Sequence, residues 1–524
     1  MHCTSVRHTG LPGTSQLFAD AIDRPERTGA FYRHPRRDAE SFRAAAGEIR
    51  FSGGQRAALI AALGRQNADS PSLARLAQPG TVVVATGQQV GLFSGPAYAA
   101  YKALHAARLA EWLTANGIPA VPVFWLATED HDFAEVDHVW VFDAEYQPRR
   151  LEMRRPASAQ PAGGVTLVAP PVGELRDVFG GLPFGEEIAT MVEETYRPGA
   201  TMGQAFGDLL RRLAPDRGIL QVDPMLPEFR ELAAPAIRNA VERAAELAAA
   251  LLERNRELAA AGYHAQVHVE EGTSLVFLIE DGKRLTLRRS GGEYLLSGRR
   301  IGAEELAAKA RWLSPNALLR PVVQDSMLPT VAIVGGPAEV AYFAQSEVIY
   351  RSILGRMPVA VPRAGFTVLD ARSQKRMERY GLTLEDFFPG EEAVRRRIAS
   401  TLAPPEVGAL MRETAAAVDG AVDRLRASLT GFDPSLAKAL NLSARKIHHQ
   451  LSRIEGKVGR EALRRDERAA RDARSLSGLI YPERHLQERI YSFLPLLAKH
   501  GAGLTGQVYE AIEPCGGEHQ VLAV

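Results

Sequence analysis

Cysteine is scarce in this chain of 524 residues, which holds only Cys3 and Cys515, close to its two ends. Two isolated cysteines exclude a disulfide scaffold and a thiolate zinc cage. Long apolar runs are also missing: no stretch approaches the ~18 residues of a membrane-spanning helix, and residues 1–7 lead into no apolar signal segment. Charge of one sign is lacking too, because 63 Lys and Arg offset 62 Asp and Glu to a net +1. We therefore expect a cytoplasmic protein with neither nucleic acid nor a membrane as partner.

The composition is that of a packed globular protein, with 46% hydrophobic and 24% charged residues. A chain of this length is too long for one ordinary core, so we expect several domains or one domain with insertions. The patterns predict five segments: the first half of a parallel-sheet core (1–145), inserted α+β connecting modules with a core helix and strand near 205–260 (146–310), the second half of the core (311–385), an α-helical coiled coil (386–478) and a C-terminal segment packing back on the core (479–524).

A βαβ unit is the clearest organising pattern in the chain. Residues 81–85 (TVVVA) are typical of a buried parallel strand, residues 97–115 carry apolar side chains at helical spacing, and residues 121–126 (VPVFWL) are a second buried strand. Ligands of open α/β sheets bind beyond the carboxyl ends of the strands. The loops at residues 88–89 (QQ) and 128–132 (TEDHD) should therefore share one edge of the sheet and converge on one cleft.

The second of these loops supplies the candidate catalytic residues Asp130, His131 and Asp132. Carboxylates beside an imidazole can perform general acid–base chemistry, or hold Mg²⁺ together with nucleotide phosphates. The alternative is a polar loop whose aspartates cap the next turn. Consecutive Asp-His-Asp residues lack the spacing of a tetrahedral zinc site, so we assign no metal ligands.

The same edge supplies candidate binding residues. Amides recognise hydroxyls without adding charge, glycines let the backbone approach a ligand, and a second strand-to-helix turn within residues 330–342 aims a helix N-terminus at the cleft. Arginines near strand ends could hold a carboxylate, although surface positions and tight turns explain such residues equally well. The candidates are Gln88, Gln89, Gly91, Gly95, Tyr98, Lys102, His138, Arg320, Gly336, Glu339, Tyr342 and Arg363.

The inserted modules contain two runs that read as strands, residues 266–269 and 275–279. Alternation along the first run would place His264, Gln266 and His268 on one strand face.

The C-terminal third is patterned for helices. Apolar residues step by three or four within 411–429 and within 440–458, and a Gly-Phe-Asp-Pro break at 431–434 separates the two stretches. We predict an antiparallel helical hairpin or short coiled coil, with a last helix around residues 487–500.

Six ordered motifs extend through most of the chain from about residue 80 onward: TGQQVGLFSGP (86–96), VFWLATEDHDF (123–133) followed by His138, GYHAQVH (262–268), RPVVQD (320–325), GGPAEVAY (335–342) and LQER (486–489). Together they resemble the signature of the bacillithiol biosynthesis cysteine-adding enzymes, the BshC family.

The resemblance implies an α/β fold with a Rossmann-like parallel-sheet core, inserted connecting modules and a C-terminal antiparallel helical coiled coil that forms a homodimer. It also implies a reaction, the last step of bacillithiol synthesis, in which L-cysteine is joined by an amide bond to the amine of glucosaminyl-malate. Forming an amide from a free carboxylate in water is uphill, so we expect ATP to activate cysteine as an adenylate or a phosphate, and Mg²⁺ can accompany the ATP.

Within that reaction the candidate residues take provisional roles. His131 with Asp130 or Asp132 would perform acid–base work or metal-assisted activation. The glutamines and Gly91 would line the pocket, and Glu339 and Tyr342 would complete it. Arg320, Arg363 or Lys102 would neutralise the malate carboxylates.

Two other functions stay open at this level. One is a metal-dependent hydrolase built on the Asp130-His131-Asp132 loop, which sensitivity to chelators without ATP consumption would indicate. The other is a non-catalytic coiled-coil protein whose α/β domain binds a nucleotide or a sugar. Failure to form any amide from cysteine, glucosaminyl-malate and ATP would indicate that second alternative.

Overall fold

The structure, a computed structural model, describes residues 3–34, 38–154, 160–402 and 404–524. Its strands are β1 Cys3–Val6, β2 Val82–Gln89, β3 Ala120–Ala127, β4 His138–Phe142, β5 Pro148–Glu152, β6 Leu220–Val222, β7 Thr273–Glu280, β8 Lys283–Ser290, β9 Glu293–Leu296, β10 Arg299–Gly302, β11 Leu313–Pro315, β12 Thr330–Gly335, β13 Val359–Pro362, β14 Phe366–Leu369 and β15 His519–Ala523.

The α-helices alternate with these strands and then dominate the C-terminal third. They are α1 Gln16–Asp23, α2 Pro25–Thr28, α3 Ala39–Gly47, α4 Gly53–Asn67, α5 Pro71–Ala77, α6 Tyr98–Ala115, α7 Phe133–Val136, α8 Val172–Phe179, α9 Gly185–Thr195, α10 Met202–Leu213, α11 Pro227–Glu242, α12 Ala244–Ala260, α13 Ala303–Ala308, α14 Arg320–Met327, α15 Pro337–Ile353, α16 Ala371–Tyr380, α17 Glu391–Leu402, α18 Pro405–Phe432, α19 Pro434–Arg465, α20 Glu467–Ile480, α21 Gln487–Ile490, α22 Leu494–His500 and α23 Gly503–Ala511. Across the described ranges, none of these helices has the length and apolar character needed to cross a bilayer.

A five-stranded sheet in the order β13-β12-β2-β3-β6 forms the core, and all of its neighbouring strands are parallel. Both faces of β2 are buried: Val83 packs in the core cluster that includes α4 and α11, whereas Val84 packs in the cluster that includes α6. A run of β-branched residues suits a strand covered on both sides. The predicted α/β class is confirmed, and β6 lies within the segment near 205–260 that was expected to contribute to the core.

Strand β2 is longer than predicted. It continues through Gln89, with Gln88 opposite Leu126 and Gln89 opposite Ala127 of β3. Gly87 permits this close pairing, because a Cβ there would lie 2.8 Å from the Trp125 carbonyl oxygen. The paired glutamines therefore stand on the end of a strand rather than on a loop.

The inserted segment forms a separate antiparallel sheet in the order β10-β9-β8-β7-β11. Strand β7 confirms the prediction for residues 275–279, but the strand predicted at 266–269 is wrong, and with it the shared strand face. The amide and carbonyl of Val267 are instead each 2.9 Å from the side-chain amide of Gln345, which replaces a partner strand.

The C-terminal third contains the predicted helical hairpin. Helices α18 and α19 pack against each other on either side of Asp433, and a bond of 2.7 Å between His448 and Asp419 shows that they run antiparallel. The single helix predicted at 487–500 is wrong, because α21 and α22 are separate. Backbone groups of Tyr491 and Ser492 bond instead to Ala97 and Trp140.

Candidate functional site

A cavity of about 740 Å³ lies beyond the carboxyl ends of β2, β3 and β12. Its size is that of a small-molecule site, and its position is the edge at which open α/β sheets bind ligands. Of the residues predicted for the site, the cavity is lined by Gln88, Gln89, Tyr98, Lys102, Asp130, His131, Asp132, Arg320, Gly336, Glu339, Tyr342 and Arg363.

Three predicted binding residues do not line this cavity. Gly91 accepts a hydrogen bond of 2.8 Å from the Tyr196 hydroxyl, and Gly95, with a φ of 62°, turns the chain into α6. His138 begins β4, and its Nδ1 lies 2.9 Å from Asp137 Oδ1. A binding role for these three residues stays a prediction.

Asp130 and His131 are joined by an arginine from the inserted sheet. Arg284 on β8 places Nη1 3.2 Å from His131 Nδ1 and 3.5 Å from Asp130 Oδ1. The guanidinium is fixed by Ser314 and Pro315 and stacks 3.9 Å above the ring of Phe277. Because arginine has only donors, His131 Nδ1 accepts this bond, and the proton of the neutral ring is on Nε2.

Gln89 holds the two carboxylates beside this pair. Its Nε2 donates to Asp130 Oδ2 and to Glu135 Oε2, both at 2.7 Å. Burial raises the pKa of Asp130, but hydrogen bonds from Gln89 and the backbone of Asp132, with the charge of Arg284, outweigh burial and leave the pKa below its usual range. Asp130 is therefore an ionised carboxylate at neutral pH. We call Asp130, Asp132 and Glu135 the acidic end of the cavity.

Lys102 is buried, and its ammonium has a full set of acceptors. Nζ lies 2.9 Å from the Gly87 carbonyl oxygen and 2.9 Å from Gln88 Oε1, and it forms an ion pair with Glu339. Glu339 Oε2 also accepts from the Gly336 amide at 2.7 Å and so caps α15. Burial lowers the pKa of Lys102, and Glu339 offsets only part of that effect. Lys102 links the end of β2 to the start of α15.

Arg363 is likewise committed within the chain. Its guanidinium makes a two-pronged ion pair with Glu488, at 2.9 and 2.6 Å, and both side chains are buried. Burial raises the pKa of Glu488, but the charge and hydrogen bonds of Arg363, together with the Phe366 amide, outweigh burial and hold the pKa below its usual range. Lys102 and Arg363, which were predicted to neutralise a substrate, already neutralise carboxylates of the protein.

Comparison with family models decides where the chain belongs. Residues 1–364 match the model described as "Bacillithiol biosynthesis BshC, N-terminal Rossmann-like domain", and residues 366–524 match "Bacillithiol biosynthesis BshC, C-terminal coiled-coil domain". The chain belongs to the BshC family.

Three relatives of similar length carry the name "Putative cysteine ligase BshC". The protein of Solibacter usitatus is 63% identical over 100% of both chains. The protein of Koribacter versatilis is 36% identical over 98% of each chain, and that of Symbiobacterium thermophilum is 33% identical over 93% of each. The resemblance read from the six motifs is confirmed.

In this BshC chain the cavity also uses residues that the sequence reasoning missed. Arg284 and Phe277 come from the inserted sheet, where nothing in the local pattern marks them. Arg489 lies in the LQER motif, which drew attention to the segment but not to this side chain. Arg489 belongs to the region matched by the coiled-coil model, so both matched regions of the BshC chain contribute to one cavity.

A buried ion pair lies next to the acidic end of the cavity, at the residue that precedes Asp130. Glu129 lies 2.8 Å from Arg230, and burial raises the pKa of Glu129 despite this contact.

Within the ranges that the structure describes, no three His, Cys, Asp or Glu side chains are grouped to hold a metal ion.

Proposed function

We propose that this BshC-family chain is a cysteine ligase, which joins the carboxyl group of L-cysteine to the amine of glucosaminyl-malate with ATP as the activating co-substrate. The observation that carries the proposal is the division of charge within one cavity. Gln89 contacts Asp130 and Glu135, whereas the preceding Gln88 contacts Lys102. Successive side chains of a strand diverge, so β2 separates an acidic end from a basic one.

The acidic end suits an amine. Asp132 and Glu135 are exposed, and neither forms an ion pair with a described residue. An ammonium group held there stays close to Asp130, which is ionised. The amine must lose a proton before it attacks a carbonyl, and Asp132 is the better acceptor because Arg284 and Gln89 already engage Asp130.

His131 suits the carboxyl group that is being activated. With Nδ1 occupied by Arg284, Nε2 is a hydrogen-bond donor. A fixed donor of this kind stabilises the negative charge that develops on an acyl oxygen during attack. The arrangement also argues against a hydrolytic metal bound through His131 Nδ1, because the cation of Arg284 already contacts that atom.

ATP supplies the driving force by converting the cysteine carboxylate into an adenylate or a phosphate. Mg²⁺ binds proteins through one or two carboxylates together with substrate phosphates, and Glu135 is the exposed carboxylate of the cavity that stays available for Mg²⁺ when Asp132 accepts the proton of the amine. ATP and reduced cysteine are both supplied in the cytoplasm, which is where we place the reaction.

We also propose that the helical hairpin forms a homodimer. Large apolar side chains are exposed along α18 and α19: Leu410, Leu425, Phe432, Leu436, Leu442, Ile447 and Ile454. A long apolar stripe on a helical hairpin is typical of a surface that another helix covers. A second copy of the same hairpin is the occupant that the family resemblance implies.

The test of the ligase is reconstitution with cysteine carrying ¹⁸O in its carboxyl group, glucosaminyl-malate and ATP. We expect the amide product, with one ¹⁸O transferred to AMP if the intermediate is an adenylate, or to inorganic phosphate if it is an acyl phosphate. Absence of any amide would contradict the proposal. Chelator-sensitive hydrolysis without ATP use would favour the metal-hydrolase alternative.

A further inference from the structure

The basic end of the cavity contains four cations, and they differ in what they contact. Lys102 and Arg363 form ion pairs with Glu339 and Glu488. Arg320 and Arg489 form no ion pair with any residue in the described part of the chain, although both line the cavity. The uncompensated positive charge of the basic end therefore resides on these two guanidinium groups.

Arg320 is held in place by neutral partners. It begins α14, and its Nη1 and Nη2 lie 3.2 Å from Gln324 Oε1 and from the Tyr342 hydroxyl. Gln324 is buried, and the Arg320 side chain is half-buried. These contacts orient the guanidinium but leave N–H groups and the full charge for a ligand.

Arg489 has an exposed side chain on a backbone that its neighbours hold in place. The preceding residue, Glu488, is fixed by Arg363 and by the Phe366 amide, and Gln487 bonds to both backbone groups of Val368. The side chain of Arg489 is exposed and makes no hydrogen bond within the described residues, and its charge acts on Tyr98 inside the cavity. It is thus a guanidinium presented at the mouth on a fixed backbone.

We propose that Arg320 and Arg489 form the binding subsite for the two carboxylates of the malate group, with Arg320 as the inner contact and Arg489 as the contact at the mouth. This inference rests on the proposed function. Guanidinium groups bind carboxylates through paired hydrogen bonds, and a dicarboxylate matches two of them. Malate bound at the basic end directs the sugar amine past Gln88 and Gln89 toward the acidic end. Arg489 then acts as a specificity residue.

The phosphates of ATP are the other anions that could occupy the basic end, and kinetics separate the two ligands. The variant is Arg489→Gln. Arg489 lies on the surface, so its substitution leaves the buried ion pair between Arg363 and Glu488 intact. Its matched control is Arg484→Gln, an exposed arginine of the same C-terminal segment that does not line the cavity. Two acceptors are compared: glucosaminyl-malate and methyl glucosaminide, which has the amine but no malate.

We expect Arg489→Gln to raise KM for glucosaminyl-malate by about 10- to 100-fold, because the substitution removes one charge-assisted pair of hydrogen bonds to the ligand. KM for ATP and the rate with methyl glucosaminide should match those of the native protein, as should every parameter of Arg484→Gln. Arg320→Gln should give the same pattern, with circular dichroism confirming its fold.

Two results would overturn the subsite: an unchanged KM for glucosaminyl-malate, or a KM that rises for ATP instead. Direct titration of glucosaminyl-malate into each protein by calorimetry gives the same comparison without turnover. If the native protein binds this ligand and Arg489→Gln does not, the subsite stands even when no amide is formed. In that outcome only the ligase proposal fails.

Discussion

Arg284 donates a hydrogen bond of 3.2 Å to Nδ1 of His131, across 153 residues of sequence. The contact joins the inserted antiparallel sheet to the loop after β3. It sets the tautomer of the imidazole and brings a positive charge within 3.5 Å of Asp130. The inserted sheet therefore contributes a side chain to the site.

Substitution of Arg284 should therefore damage the reaction more than the fold. We expect Arg284→Gln to lower kcat/KM for amide formation by about 100-fold, because it removes the charge that orients His131 and stabilises Asp130. The control is Arg288→Gln on the same strand, where the exposed arginine forms an ion pair of 3.3 Å with Glu270 and does not line the cavity. Equal kinetics for the two variants would contradict this role.

Gln89 should control the ionisation of Asp130. The Gln89→Glu change removes the donor and adds a negative charge, so the pKa of Asp130 should rise. A carboxyl group whose pKa is lower in the folded chain than in the unfolded chain stabilises the fold at pH values above its unfolded pKa. This contribution is lost as the pH falls through the folded pKa. The variant, in which the folded pKa of Asp130 is higher, should therefore be less stable at neutral pH. We expect the acid limb of the pH–rate profile to move to higher pH. A limb that stays in place would refute the assignment.

Gly87 should be intolerant of any side chain. A Cβ at this position would lie 2.8 and 2.9 Å from backbone and side-chain atoms of Trp125, within the paired strands that carry the glutamines. We expect Gly87→Ala to lower the free energy of unfolding by about 1–3 kcal/mol and to reduce activity. Gly64→Ala in the interior of α4 meets nothing closer than 4.0 Å and should be neutral or stabilising by up to about 1 kcal/mol. Urea denaturation of both variants checks the contrast.

His519 should make the fold sensitive to acid. Burial lowers its pKa to about 4, from an ordinary value of 6.5. Between these values the unfolded chain binds a proton that the folded chain does not, so the free energy of unfolding falls as pH decreases, by up to about 1.4 kcal/mol per pH unit. His519→Gln cannot titrate, so its stability deficit relative to the native protein should shrink from pH 7 to pH 5. A constant deficit would count against this.

The apolar stripe of the helical hairpin should determine the oligomeric state. We expect the native chain to sediment as a dimer and Ile447→Glu to shift it to monomer at micromolar concentration, because the substitution places a charge in the proposed contact. Lys446→Glu adds a carboxylate one residue away and should remain dimeric. A native chain that sediments as a monomer would contradict the proposed homodimer.

The sequence predicts the parts of the site that local pattern and topology determine. The runs at 81–85 and 121–126, with the helix between them, require a βαβ unit, and that unit alone brings Gln88 and His131 to one edge. Contacts made across long separations leave no such pattern. Arg284 contacts His131 from a strand whose residue pattern has no distinctive spacing. The Gln345 side chain forms a hydrogen bond with the backbone of Val267, in the segment where a strand was predicted.

The helix predicted at 487–500 fails for a related reason. Tyr491 and Phe493 are fully buried against other elements, and the backbone between α21 and α22 bonds to distant residues. That break leaves Arg489 on a short helix beside the cavity. Tertiary hydrogen bonds outweigh helical preference here, and neither composition nor spacing reports them.

The central claim is that one cavity, built from the paired glutamines and the Asp130–His131 loop, performs the ligation. The most direct measurement is mass-spectrometric quantification of bacillithiol formed by the purified chain from cysteine, glucosaminyl-malate and ATP, with Asp130→Asn and His131→Ala assayed in parallel. The account predicts ATP-dependent product from the native chain and a loss of at least about 100-fold in each folded variant. Full activity in both variants would contradict it.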